Sequence, residues 1–479
     1  MSSPAVPLLM VLGLPALLVL GKPAWMPLTW ALAAAVPVAL ACAAWADYFW
    51  RRRPGAPFVP VTISFYGISF GLTVFLAGFH KHYDSEYVVY RYVFDGPGTM
   101  LDERALFLAA GGVLMLALAL AVGQRLFRGS GLYWRLPAAY SPRRVEALAW
   151  LLIAGHLAYF LIPGISNLSS VGQVLQPGGY VGFAVLYALW CDGRLPRWQA
   201  VALFAAVIPA IMVVRLSIGT LTPLVYFFLV AFLVATRATS RLPWKSLAVG
   251  ALAVVLIYPV IGAYRSLTWG ALMRVEQVSD RGMSSFVQAT AGQYRDIARE
   301  GMLGLGGHLL EVFTSRAGQV PILSQAARII PAEYPYLQGE TYRPLLTAMI
   351  PRVLYPNKPE ERFGTEFARR YGFTWQQDPT TINVPWLTEL YINFGPGGVT
   401  MGMAVFGLVL ALLDQLFNAG AMRREEAAVG VGILFPLAFQ ESNFSLMTGS
   451  VPLLALTLLA YFWLGLRVGA VRSRGVPTP

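Results

Sequence analysis

Charge is scarce in this chain. Asp, Glu, Lys and Arg make up 13% of its 479 residues, hydrophobic residues make up 57%, and the mean hydropathy is positive. A soluble protein of this length needs more charge to cover its surface. Cysteine is nearly absent. Cys42 and Cys191 are the only two and both lie within apolar runs, which excludes a disulfide framework and a cysteine zinc site. No glycine-rich phosphate loop ending in lysine, no G-x-S-x-G elbow and no H-E-x-x-H occurs, which argues against an ATPase, an esterase and a zinc protease. The first 20 residues have neither a basic segment nor a clear cleavage signature, so they read as a span and not as a signal peptide. No fixed-period repeat stands out.

Long apolar runs are what the chain has instead. They lie near 4–20, 24–49, 57–79, 105–123, 145–163, 178–191, 198–217, 221–236, 246–264, 397–417, 427–444 and 450–466. Roughly 20 apolar residues cross a hydrocarbon core of about 30 Å as a helix. Inside lipid every backbone polar group must find its partner within the protein, so only helices and closed barrels span. These runs are continuous, not alternating, and the expected fold class is all-α: a polytopic membrane protein of about 12 transmembrane helices. Residues 1–263 would carry spans one to nine. Residues 264–396 would form a large, mainly helical extracytoplasmic loop, and 397–479 would hold spans ten to twelve and a cytoplasmic C-terminus.

The net charge of +12 raises the question of nucleic acid, but its placement answers otherwise. Every even-numbered span exits into a basic loop: Arg51 to Arg53, Arg125 to Arg144, Arg194 and Arg197, Arg237 to Lys245, Arg423 and Arg424, and Arg467 to Arg474. The alternate short loops carry only Lys22, Lys81, Arg91 and Arg104. This is the positive-inside pattern, with both termini cytoplasmic. It also puts the 264–396 stretch outside, where 13 of the 36 Lys and Arg residues must serve something other than orientation.

Within that stretch, PEERFGTEFARRY at 359–371 carries strong helix signals. Proline stands at the start, acids occupy the first turn, bases the last, and Gly372 follows as a stop. Phe363, Phe367 and Tyr371 form one aromatic stripe, best read as packing. A second helix is expected over 308–329, with Leu309, Phe313 and Val320 roughly on one face, and 283–300 is weakly amphipathic.

Three constellations could carry chemistry. In IPRVLYPNKP the prolines stiffen the backbone around Arg352 and Lys358, which makes either a phosphate platform or a turn with solvated cations. In TELYINFGPGG, where the chain re-enters the membrane, Glu389 is either a general base or the salt-bridge partner of an arginine; Gly395, Gly397 and Gly398 permit close backbone approach. Arg215 lies within span seven, a functional position by default unless it snorkels outward. Arg265, Arg316 and Arg352 could join it in a diphosphate-binding cluster. Glu441 is a second candidate carboxylate, or a structural partner for Arg215. The four histidines show no metal spacing, and His308 is either a base or a polar helix-start residue. The outer loop after span three holds a D-x-E pair, Asp84 and Glu86, the only hint of a metal site.

Residues 311–398 resemble the bacterial O-antigen polymerases of the Wzy type, which polymerise oligosaccharide repeat units. The likeness rests on Arg316, the pair Gly339–Glu340 followed by Arg343, the IPR…YPNKP segment, and E-x-Y-x-N-F-G from Glu389 to Gly395. The resemblance implies a GT-C-like fold in a bacterial inner membrane. It also implies a metal-independent inverting glycosyltransferase, needing no cofactor, that extends glycans on undecaprenyl diphosphate. Under it, Arg316 and Arg352, joined by Arg215 and Arg265, would hold the diphosphate, and Glu389 would deprotonate the acceptor. Tyr391 and Asn393 would position sugar, or merely pack the turn, and Arg343, Lys358 and Glu340 would add to substrate binding. The implied partners are the lipid-linked donor and acceptor, membrane lipids and a chain-length regulator protein, with no nucleic acid. An O-antigen ligase is the nearest rival; a transporter or flippase of lipid-linked glycans is the rival from another class, expected to show repeats and broken helices.

Overall fold

The computed structural model describes the chain apart from residues 1–4, 80–86, 90–91, 95–96, 138–139, 163–164, 166–168, 217–221, 240, 246, 251, 253–282, 300, 349, 351–353, 356, 358–362, 374–380 and 474–479. The described chain is helical, with one short antiparallel hairpin pairing Tyr87–Val89 with Tyr92–Phe94. Among the described residues, seven helices are long and apolar enough to cross a membrane: Leu28–Trp50, Phe58–Phe75, Glu103–Phe127, Pro142–Leu161, Val171–Cys191, Trp386–Asn418 and Phe444–Arg467. Three shorter apolar helices, Val11–Leu20, Arg197–Met212 and Leu224–Thr239, coincide with further expected runs. Residues 246–264 fall largely outside the described residues.

Small residues set the packing. The 103–127 and 386–418 helices run side by side in the same direction: a Cβ on Gly112 would meet Val399 at 2.8 Å, and one on Gly123 would meet Ala411 at 2.6 Å. Between them, Gly407 lies against Ala119. Without a hydrophobic drive between helices in lipid, such close backbone approach supplies the dispersion contact that holds them.

The hydrophilic stretch packs at the end of the bundle where the 386–418 helix begins. Ser324 accepts from the N–H of Asp102 at 3.1 Å, and Arg328 bonds the Leu101 carbonyl at 2.9 Å. The N–H of Gln319 reaches the Ser69 carbonyl at 3.0 Å. Ser69 lies in a widened turn, Ile68–Leu72, and such a bulge frees carbonyls from the helix ladder. The arginines of the short basic loops gather at the opposite end of the bundle, beside Asp414 and Asn418.

Two expected loop helices need revision. The 308–329 helix is two helices, Gly301–Ala317 and Val320–Ile329, separated at Gly318–Gln319, so Phe313 is exposed while Val320 is buried. The 359–371 helix is described from Phe363 to Arg370 and ends at Gly372, whose φ of 76° is easy only for glycine. Its aromatic stripe does pack: Phe367 lies 4.9 Å from Tyr371, ring to ring, and both are buried.

Candidate functional site

The 386–418 helix is broken near its start. Gly395 has φ 68° and ψ −159°, and Pro396 follows. Proline has no N–H, so the Ile392 carbonyl loses its helical donor. Leu337 supplies one instead, at 3.1 Å, and Gln338 bonds the Asn393 carbonyl at 3.0 Å. The break thereby ties residues 337–342 to the opening turns of the helix.

Glu389 sits in the first of those turns and is 0% exposed. Its Oε1 accepts from the Thr341 hydroxyl at 2.6 Å, and its Oε2 accepts from the backbone N–H of Phe444 at 2.6 Å. Asn393, one turn on, donates to Thr341 Oγ1 and to the Glu389 carbonyl, each at 2.8 Å, and accepts from Gly339 N–H at 2.9 Å. Ser445 donates to the Thr341 carbonyl at 2.7 Å. A buried carboxylate is costly unless its oxygens are hydrogen-bonded, and here both are. Three segments distant in sequence therefore close on one side chain.

Tyr342 completes this layer. Its ring stacks on Phe394 with centroids 6.1 Å apart and meets Phe444 edge-on at 5.9 Å. Burial first, then the nearby Glu389 charge, raises its hydroxyl far above the ordinary tyrosine value. That hydroxyl is buried with no hydrogen-bond partner among the described residues, so one donor next to Glu389 is left unused.

Glu441 lies close by in sequence to Phe444. The run expected as a span over 427–444 is helical only to Ala438, and 439–443 is a non-helical break ahead of Phe444–Thr448. Within that break Glu441 Oε1 accepts from Asn383 Nδ2 at 3.0 Å. Burial raises the Glu441 carboxyl; the Asn383 hydrogen bond and the positive charge of Arg316 oppose the rise. Arg316 itself ends the 301–317 helix with its side chain exposed. An exposed guanidinium thus lies within electrostatic reach of a half-buried carboxylate held by a third segment, without forming an ion pair with it.

The remaining expected residues divide clearly. Tyr391 donates to the Ile330 carbonyl at 2.8 Å and is buried against Tyr336, so both it and Asn393 pack and bond the turn. Arg343 and Glu340 lie 3.9 Å apart on the surface, 77% and 58% exposed, a geometry worth about 0–1 kcal/mol. Arg215 lies in the last turn of Ile208–Leu216, and His308 lies in the 301–317 helix. Arg265, Arg352, Lys358, Asp84 and Glu86 fall outside the described residues. Of the three glycines, Gly395 and Gly398 meet close neighbours, while Gly397 faces open space.

Sequence reasoning missed Thr341, Tyr342 and Asn383. The first two stand between Glu340 and Arg343, inside a stretch already singled out, but uncharged residues there carry no signal of their own. Asn383 has none at all.

No family model, no curated protein and no solved structure matches the chain.

Proposed function

We propose that the chain is a glycosyltransferase of the GT-C class that polymerises undecaprenyl-diphosphate-linked repeat units at the outer face of a bacterial cytoplasmic membrane. In this reading it has twelve spans with both termini cytoplasmic, and 264–396 stands outside. The observation that supports it most is Glu441, held by Asn383 in a non-helical break and within electrostatic reach of the exposed Arg316, at the bundle end where the hydrophilic stretch packs.

The chemistry follows from those two groups. An acceptor hydroxyl gives its proton to a carboxylate as its oxygen attacks the anomeric carbon of the donor. The bond from that carbon to the diphosphate oxygen breaks, with inversion, and the diphosphate leaves with its charge held by arginine. Guanidinium forks suit phosphate oxygens, and charge stabilisation of this kind usually dominates such transfers. We assign the cation to Arg316, with Arg352 as its expected companion. The base role first expected at Glu389 moves to Glu441, because both Glu389 oxygens are already bonded inside the protein while Glu441 carries the upward-shifted carboxyl that base catalysis at neutral pH favours. Glu389 then organises the layer beneath.

The test is reconstitution with a synthetic diphosphate-linked repeat unit, followed by glycan sizing. Long products support polymerase. Transfer to a lipid A core without lengthening would indicate a ligase. The non-helical break at 439–443 also favours a second reading, a carrier of lipid-linked glycans, since carriers use interrupted helices at their sites; movement of the lipid across vesicles without new glycosidic bonds would select it.

A further inference from the structure

A sizeable cavity lies at the other end of the bundle. It measures about 830 Å³ and lies between the 28–50, 103–127 and 386–418 helices. Its lining changes character along its depth. The rim carries Arg51, Arg53, Arg125 and Arg128, against the carboxylates of Asp47 and Asp414. The deeper wall is apolar, formed by side chains such as Leu40, Ala44, Ala117, Leu118 and Ala121.

The rim is over-supplied with positive charge. Asp47 bonds Arg51 at 2.6 Å and also pairs with Arg53. Asp414 is engaged by Asn418 at 2.8 Å and by Gln124 at 3.3 Å. Arg125 and Arg128 are exposed and have no ion-pair partner among the described residues. Burial lowers the Arg53 pKa; Asp47 opposes this, and the like charges of Arg128 and Arg51 add to it. Several guanidinium groups converging with too few acids make a field that favours an anion.

The wall says which kind of anion. Leu118, Ala121 and Val122 are exposed on the 103–127 helix, so the groove opens sideways on an apolar face. From Ala117 to Arg128 the helix rises about 16 Å, roughly half the hydrocarbon thickness. A soluble phosphate needs only the rim. A ligand that also fills the wall must carry hydrocarbon below its phosphate, and a volume of this size takes a head group with the upper part of a chain.

We propose that this groove is a binding site for an acidic phospholipid from the membrane leaflet at that end of the helices, its phosphate on Arg125 and Arg128 and an acyl chain along Ala117, Leu118 and Ala121. This rests on the cavity alone and is independent of the glycosyltransferase reading.

The test is native mass spectrometry of the detergent-purified full chain titrated with phosphatidylglycerol, and with phosphatidylcholine of the same acyl chains. Wild-type protein should retain phosphatidylglycerol preferentially. The double variant Arg125→Gln/Arg128→Gln should bind it about thirtyfold more weakly, at about 1 kcal/mol for each arginine near a charged surface. Both side chains are exposed, so the variant should fold; monodispersity on gel filtration checks this. Leu118→Trp, which fills the groove and leaves every charge, should also lose the lipid. Arg143→Gln/Arg144→Gln, off the cavity, should bind as wild type. Equal binding of the two phospholipids, or full binding by both groove variants, overturns the proposal. So does displacement of the lipid by glycerophosphate at equal concentration, which would mean a soluble-phosphate site, or clear preference for undecaprenyl phosphate, which would mean a carrier-lipid site.

Discussion

Thr341 and Glu389, 48 residues apart in sequence, share a hydrogen bond of 2.6 Å with both side chains buried. The same hydroxyl accepts from Asn393 at 2.8 Å, so it serves as a junction between the helix start and the preceding loop.

Thr341→Val should therefore destabilise the protein by about 1–3 kcal/mol, because it takes one hydrogen bond from a buried carboxylate and another from a buried amide at once. Thermal unfolding in detergent measures this. A midpoint equal to wild type would show that the junction carries no stability.

Gly395→Ala should be destabilising by about 1–3 kcal/mol or more. The residue holds φ 68°, and an added Cβ would meet the Tyr336 ring at 2.8 Å. Gly397→Ala, where a Cβ meets nothing within 4 Å, is the matched control and should unfold as wild type.

Arg316→Ala and Arg352→Ala should each abolish chain extension, or cut it by about 10²–10³, the scale seen when one charge-stabilising group is lost. Membrane insertion and the unfolding midpoint should not change for Arg316→Ala, since its side chain is exposed. Arg343→Ala should retain activity. Normal polymer length in both of the first two variants would remove the diphosphate assignment.

Glu441 gives a pH prediction of defined sign. Its carboxyl is raised above the ordinary 4.5, so the folded state holds the proton more tightly than the unfolded one. Its share of stability is present at low pH and is lost as pH rises through the folded value. Activity should run oppositely, appearing as the carboxylate forms. Arg316 opposes the upward shift, so Arg316→Ala should move any residual acid limb to higher pH, and Glu441→Gln should abolish both trends. An acid limb unmoved by either substitution would take the base role away from Glu441.

At the opposite end of the bundle the sign reverses. Burial alone would raise Glu425, but the backbone N–H at its helix start, Arg194 at 2.5 Å and Tyr140 outweigh it and lower the carboxyl. That stability is present above the ordinary value and lost as pH falls through the depressed one. Arg194→Ala should flatten the acid side of the stability profile, measured as unfolding midpoint against pH.

The helices were legible because lipid leaves a chain few choices: uninterrupted apolar runs must be helical, and seven of the expected runs reappear as span-length helices, with three more as shorter ones. Gly395 and Pro396 stood in a stretch singled out for close backbone approach, but the span was expected to begin at 397, so the helical turns from Trp386 up to the break were not foreseen. Nor was the fate of Glu389. Whether a carboxylate is open or sealed depends on what lies above it, and its partners are Thr341 and a backbone N–H at Phe444, neither of which has a compositional mark. Glu441 was visible as an acid near a span end, but its link to Arg316 joins positions 125 apart and is a property of the folded chain only. The basic loops were read as orientation signals alone, yet Arg194, Arg423 and Arg424 also pin Glu425, Glu426 and Asp192.

The 386–418 helix has 33 residues in two pieces that meet at the kink, about 50 Å of helix along its path where about 30 Å suffices to cross the hydrocarbon. Its surplus is the sealed portion before the kink, roofed by the 337–342 loop. A bulky head group drawn along the bilayer surface would meet this post from the flank and could not descend on it from above.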